Sequence, residues 1–203
     1  MMLPTHALVG VAIGAPLLWL APEAATAALI GGLLGGIWPD LDLYVGHRRT
    51  LHYPMGYSLA AIPAVIAAAI VGASLSIAVA VAVIAAAAHC QMDRYGGGLE
   101  LRPWEGTSER AVYDHITGEW LPPKRWVRYD GAPEDVGLSL AVGLPLVAVL
   151  PPTFRWIVVA ALVVAVGYGL LRRWLASLAP VVAEYVPEPV GDYVPERYHQ
   201  KDK

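Results

Sequence analysis

The chain has 203 residues, of which 57% are hydrophobic and 15% are charged, whereas about 25% are charged in an ordinary soluble domain. The formal net charge of −3 excludes the strongly basic surface by which many proteins bind nucleic acid. The single cysteine, Cys90, excludes an intramolecular disulfide framework.

Charged residues are concentrated in a few short segments. Residues 50–92 form a 43-residue stretch without Asp, Glu, Lys or Arg. Such a stretch is typical of two membrane helices joined by a short turn, and a water-soluble Ala-rich bundle is the alternative. The N-terminal segment lacks a basic region and is interrupted by Pro4, Pro16 and Pro22, so we do not expect a signal peptide there.

Six apolar helices are predicted, at residues 4–20, 24–37, 57–71, 75–91, 136–150 and 154–175. The segment AVYDHITGEWL lies between the fourth and fifth helices and predicts a β-hairpin with Thr117-Gly118 near its turn. The fold class is an all-α polytopic membrane bundle of about six helices. Its parts are helices one to four (1–92), a polar cytoplasmic insertion (93–135), helices five and six (136–179) and a Pro-rich, extended or disordered tail (180–203).

The basic residues predict how the bundle is oriented. With the N-terminus in the cytoplasm, the segment after the second helix, the insertion and the tail all face the cytoplasm. These regions and the cytoplasmic end of the sixth helix hold 13 of the 14 Lys and Arg residues, and Arg155 is the exception. Because cytoplasmic loops are rich in Lys and Arg, we predict an integral cell-membrane protein with both termini in the cytoplasm.

The same orientation brings seven polar side chains to the cytoplasmic face: His6, Asp40, Asp42, His47, His52, His89 and Asp93. Imidazole nitrogens and carboxylate oxygens are common ligands of divalent metals. His89 and Asp93 are four residues apart and share a helix face near a C-terminus, where the helix dipole favours a cation. Asp40 and Asp42 follow Pro39, which predicts an extended segment with both carboxylates on one side. Either both bind metal, or one orients a histidine.

Several neighbouring residues have simpler interpretations. Arg48 and Arg49 taken alone are typical of topology anchors. Cys90 points about 100° away from its neighbour along the helix and is expected to be a small buried residue. His115 and Glu119 are expected on the surface of the hairpin, because Gly118 argues against a helix there.

The stretch GGLLGG contains two pairs of small residues at helical spacing, Gly31 with Gly35 and Gly32 with Gly36. This spacing predicts close helix packing, and the absence of a following GK[ST] argues against a phosphate-binding loop. His199 lies in the tail and is expected to have no role.

Four motifs occur in the order THALVG, PDLD, HRRTLH and HCQMD over residues 5–93. In this order they resemble the motifs of the YdjM-like, LexA-regulated, membrane-bound metal-dependent hydrolases. The phrase GGGLELRPWEGTSERAVYDH that follows is similar to versions from halophilic archaea. The chain keeps three residues of the third motif: His47, Arg48 and His52. It departs from the family's glycine, threonine and serine at three positions: Arg49, Leu51 and Tyr53.

A more distant similarity is to zinc-dependent phospholipase C and nuclease P1 enzymes, whose metal ligands include an HxxxD pair. It implies one or two divalent ions, with zinc expected first and manganese or magnesium as alternatives. The implied ligands are His6, Asp42, His52, His89 and Asp93, with Asp40 and His47 as additional candidates. Counterparts for the ligands of a third zinc are missing, unless His115 and Glu119 supply them.

These patterns together suggest a membrane-bound hydrolase that acts on a small-molecule or lipid phosphoester at the cytoplasmic face, with membrane lipids as its surroundings. In this hypothesis Asp40 is a further ligand or the base, and Arg48 or Arg49 binds the anionic oxygens of the substrate. The alternative is a non-enzymatic membrane protein, with a structural metal site or a path for metal ions or protons. A path would continue through the bilayer, yet the third to fifth helices offer only four serines and no acid at mid-span.

Overall fold

A computed structural model describes residues 1–187 and residues 191, 194 and 198. The described chain is mostly helical and contains six long α-helices and one single-turn helix. In chain order these are α1 (Leu3–Gly14), α2 (Leu17–Leu20), α3 (Pro22–Ile37), α4 (Pro54–Val71), α5 (Ser74–Tyr95), α6 (Pro133–Val149) and α7 (Pro152–Ala183). A 3-10 helix, Trp38–Tyr44, continues α3, and a second one covers Pro103–Glu105. The six predicted long helices are therefore confirmed.

Some boundaries differ from the prediction. The first predicted helix divides into α1 and α2, because Pro16 has no backbone N–H with which to continue the helical ladder. The last helix runs through Pro180 to Ala183, so the prediction of a non-helical tail from residue 180 is wrong for these residues. Most of the remaining tail, His199 included, lies outside the described residues.

The segment after α3 was predicted to be extended, and this prediction is wrong. Trp38–Tyr44 is a 3-10 helix with Pro39 in its first turn, where a missing N–H costs nothing. In a helix, residues two apart point in different directions. Asp40 and Asp42 therefore face different surroundings.

Glycines bring the backbones of α1, α3 and α5 into direct contact. A Cβ on Gly32 would clash with the carbonyl oxygen of Gly10 in α1, and a Cβ on Gly35 would clash with that of Ala82 in α5. A Cβ on Gly31 would clash in the same way with Ala78. The predicted close packing of the GGLLGG stretch is confirmed, and it places α3 between the two helices that carry His6 and His89.

Five helical segments are long and apolar enough to cross a membrane: Leu3–Leu20, Pro22–Leu43, Pro54–Val71, Ser74–Tyr95 and Pro152–Ala183. Most outward side chains of these segments are apolar, as the 80% exposure of both Ile70 and Leu170 illustrates. At a rise of about 1.5 Å per residue, α7 measures about 48 Å and exceeds a bilayer core of about 30 Å.

The insertion contains the predicted hairpin, formed by β1 (Val112–Asp114) and β2 (Glu119–Leu121) in antiparallel register. The turn places Gly118 at a φ of +74°, a conformation that glycine adopts without strain. The hairpin lies on the loop before α4. The Tyr113 N–H donates to the Arg48 carbonyl at 2.9 Å, and His115 Nε2 donates to the Arg49 carbonyl at 2.7 Å.

An ion pair attaches the insertion to α7. Arg172 Nε donates to Asp130 Oδ2 at 2.9 Å, and the Tyr168 hydroxyl also donates to this carboxylate. Burial alone would raise the pKa of Asp130, but the charge and hydrogen bonds of Arg172 and the hydrogen bond of Tyr168 hold the pKa below its usual range. The insertion is thereby fixed next to the end of the bundle where the polar motifs meet.

Candidate metal centre

The polar motifs meet at one end of the bundle because α1 and α4 begin there and α3 and α5 end there. His6 lies in the first turns of α1, Asp40 in the 3-10 helix and His52 just before α4, while His89 and Asp93 lie in the last turns of α5. All except Asp40 are almost completely buried, with exposures of 1% or less. Four separate elements of the chain thus build one enclosed polar cluster.

Four residues of this cluster could hold a metal ion: Asp40, His52, His89 and Asp93. Each offers one ligand atom, and these atoms lie within 4.8 Å of one another. His89 Nε2 is 3.4 Å from oxygens of both Asp40 and Asp93, and His52 Nε2 is 3.2 Å from Asp93 Oδ2. Tetrahedral ligands bound to zinc at about 2.0–2.2 Å are roughly 3.4 Å apart, so the spacing fits such an ion.

The hydrogen bonds of the two imidazoles fix which nitrogen carries the proton. His89 Nδ1 lies 2.7 Å from the Gly36 carbonyl oxygen, which can only accept, so Nδ1 is the donor. His52 Nδ1 likewise lies 2.9 Å from Asp42 Oδ2 and donates to it. In its neutral form each ring then carries its lone pair on Nε2, the atom that lies beside the carboxylate oxygens. Electron-rich atoms facing one another in a buried space are stabilised by a cation between them.

Two buried atoms support this interpretation. His89 Nε2 and His6 Nδ1 have no hydrogen-bond partner among the residues that the structure describes. Buried polar atoms of this kind are uncommon in folded proteins and require an explanation. For His89 Nε2, a metal ion held by the four residues would supply it.

Asp42 supports the cluster through hydrogen bonds to His52 and to the loop before α4. In addition to His52, its carboxylate accepts hydrogen bonds from the Leu51 N–H at 3.0 Å and from His47 Nδ1 at 3.1 Å. Burial alone would lower the pKa of His52, but hydrogen bonds with Asp42 and Asp93 outweigh it and raise the pKa. Asp42 was expected to be a ligand and Asp40 a ligand or base. In the structure Asp40 belongs to the four-residue group, and Asp42 lies outside it and orients His52.

The second oxygen of Asp93 is surrounded by protein donors. Oδ1 accepts from the Met1 amino group at 2.6 Å and lies 3.1 Å from His6 Nε2 and 3.4 Å from an Arg48 nitrogen. The His6 ring also stacks on the His89 ring, with centroids 3.7 Å apart. His6 is therefore beside the four-residue group, and the arrangement supports one ion at the Oδ2 side of Asp93.

The two arginines of HRRTLH have different surroundings. Arg48 is 6% exposed, adopts a left-handed φ of +60° and donates to the Gly97 carbonyl at 2.8 Å. Arg49 is exposed and lies over the Tyr113 ring, 4.6 Å from its centroid. The sequence did not decide which of the two arginines binds the substrate. In the structure, Arg48 is the one that lies at the cluster.

A cavity of about 650 Å³ adjoins the cluster. Asp40, His47 and Arg48 line it where it meets the candidate metal site, and α7 supplies much of the remaining wall. Asp40 retains 16% exposure of its side chain. The cluster is thus accessible from one side.

The remaining candidates lie elsewhere. His115 is exposed and contacts the Arg49 carbonyl, and Cys90 is fully buried but is not among the four grouped residues. Sequence reasoning missed one contact. Thr5, in the motif THALVG, donates to the fully buried Asp135 at 2.7 Å and anchors α1 to α6. An acid at the start of an apolar helix was the signal that could have revealed it.

No protein-family model matches the chain, and no curated protein or solved structure matches it.

Proposed function

We propose that this protein is a membrane-bound metal-dependent hydrolase that cleaves a phosphoester at the cytoplasmic surface. The observation that carries the proposal is the position of two Nε2 atoms, on His52 and His89, beside the carboxylates of Asp40 and Asp93. The motif order that resembles the YdjM-like hydrolases points to the same class.

His52, His89 and Asp93 would hold the ion, with zinc favoured by two imidazoles and a carboxylate, and Asp40, the partly exposed member of the group, would face the position left open. When bound, such an ion lowers the pKa of water and polarises a phosphoryl oxygen. The protein supplies the other parts. Asp42 fixes the tautomer of His52, Arg48 binds the anionic oxygens of the substrate, and Asp40 accepts a proton.

The adjoining cavity favours an enzyme over a purely structural metal site. Structural sites enclose their ion with protein ligands, whereas catalytic sites keep one position open. Here Asp40 and Arg48 border both the cluster and a cavity large enough for a small molecule.

Metal content and turnover test the proposal together. Purified wild-type protein is expected to contain equimolar divalent metal and to hydrolyse at least one member of a panel of phosphomonoesters and phosphodiesters. His89→Ala should lose both metal and turnover, because it removes a ligand. His115→Ala is the matched control, since it removes an exposed imidazole outside the cluster, and should keep both. Metal-loaded wild-type protein without activity on any phosphoester would overturn the proposal.

A further inference from the structure

The cavity next to the candidate metal site is larger than a phosphate group requires. Its volume is about 650 Å³, whereas a water molecule occupies roughly 30 Å³. The polar groups Asp40, His47 and Arg48 are next to the metal cluster. Of the other charged residues on the wall, Arg172 and Asp130 pair with each other, and Glu100 accepts a hydrogen bond from the Ser108 N–H. The cavity therefore has room for a substantial apolar body beside one anionic group.

The apolar wall is the last third of α7. Six of its residues line the cavity: Leu175, Ala176, Leu178, Ala179, Val182 and Ala183. The three alanines are three and four residues apart, so they share one face of the helix. Their small side chains leave open the space that leucine or valine would fill, and Ala176 is only 2% exposed.

Arg48 supplies an independent indication of a ligand. It is 6% exposed and lines the same cavity, and its Nε has no hydrogen-bond partner in the described part of the chain. A buried guanidinium with a spare donor is a binding group for a phosphate or carboxylate. The cavity thus combines an anion-binding end with a narrow apolar wall.

We propose that the substrate is an amphiphilic phosphoester with one hydrocarbon chain, whose phosphate binds at Arg48 and whose chain lies along the alanine face of α7. This inference rests on the proposed function and names the substrate class of the same site. One chain is favoured over two because the apolar wall is a single helix face with three alanines in a row.

A matched pair of variants tests where the chain lies. Ala179→Leu adds bulk inside the cavity, whereas Ser177→Leu adds bulk on the exposed side of the same helix. Binding of dodecyl phosphate and butyl phosphate to metal-loaded protein is measured in one preparation of neutral-lipid nanodiscs, so that partitioning into lipid is common to all variants. We expect Ala179→Leu to bind dodecyl phosphate roughly tenfold more weakly than Ser177→Leu, with butyl phosphate unaffected.

Binding keeps this test separate from turnover. If the wild type binds dodecyl phosphate and Ala179→Leu weakens this binding, the inference stands. If in addition no substrate is cleaved, only the hydrolase proposal fails. If Ala179→Leu and Ser177→Leu bind dodecyl phosphate equally, the chain does not lie on α7 and the inference is overturned, whatever the activity on soluble phosphoesters. Ala179→Val, with a smaller addition, serves if Ala179→Leu does not fold.

Discussion

Arg48 combines an unusual backbone conformation with a buried charge. A left-handed φ disfavours residues with a Cβ, at a cost of roughly 1–2 kcal/mol, and Arg48 adopts φ +60° nonetheless. Its carbonyl is held by the hairpin through the Tyr113 N–H, and its side chain is held by the Gly97 carbonyl. The surrounding contacts therefore fix a guanidinium at the edge of the cluster.

The paired arginines allow a sharp comparison at this position. Arg48→Gln should lower turnover by about 10²-fold with metal retained, because it removes charge stabilisation and not a ligand. Arg49→Gln should stay within about twofold of the wild type, because that side chain is exposed and lies on Tyr113. Steady-state kinetics and metal analysis of both variants provide the measurement.

Arg48→Lys separates charge from shape. Lysine keeps the positive charge that favours cytoplasmic placement but lacks the planar guanidinium. Compared with Arg48→Gln, Arg48→Lys should therefore restore membrane insertion more fully than turnover. Equal activity of Arg48→Gln and Arg49→Gln would show that neither arginine takes part in the reaction.

The sequence could predict most residues of the cluster but not all of their positions. His89 and Asp93 follow from helical spacing alone, since residues four apart share a face. The relation of Asp40 to Asp42 could not be predicted, because it depends on whether the chain after Pro39 is extended or helical. Nor could the sequence separate Arg48 from Arg49, which differ by the way the distant hairpin packs on the loop.

At the level of elements, α3 is the central support of the site. It contacts α1 on one side and α5 on the other, and its glycines permit both contacts. The predicted small-residue spacing was sufficient to expect close packing, although it could not identify the partner helices. The partners depend on the whole bundle, which local spacing does not encode.

Two glycine substitutions test this support. Gly35→Ala forces a Cβ against the Ala82 carbonyl and should cost about 1–3 kcal/mol of stability, while separating α3 from α5 and lowering metal affinity. Gly167→Ala is the control, because no described atom lies within 4 Å of its added Cβ. It should leave stability unchanged or raise it through better helix propensity. The unfolding temperature in detergent and the metal content of each variant distinguish Gly35→Ala from Gly167→Ala. Equal unfolding temperatures would contradict the role assigned to α3.

At the level of the whole molecule, the arrangement of helices predicts which loops share a compartment. If α6, with 17 residues, crosses the bilayer in addition to the five segments above, the start of α1, the insertion and the end of α7 face the cytoplasm, and the turn between α4 and α5 faces the opposite side. Single cysteines at Ala73, Glu109 and Glu184, in a Cys90→Ala background, test this with a membrane-impermeant thiol reagent. In intact cells Ala73→Cys should react, and Glu109→Cys and Glu184→Cys should react only after permeabilisation.

The 13-to-1 distribution of basic residues is the reason for this expectation. If Glu109→Cys reacts with the reagent in intact cells, the orientation is the opposite of the one expected here, and the site lies on the external face. Labelling of Glu109→Cys and Glu184→Cys from opposite sides would contradict the bundle itself, because the ion pair between Asp130 and Arg172 holds the insertion near α7.

The backbone contacts of α3 have a consequence for how the protein responds to metal supply. In a zinc finger the ion drives folding, so the loss of metal means the loss of the folded chain. Here the glycine contacts that join α1, α3 and α5 involve no ligand atom. An ion-free molecule would remain folded in the bilayer and ready to reload. Scarcity of metal would then change the fraction of working molecules without changing how long each one survives.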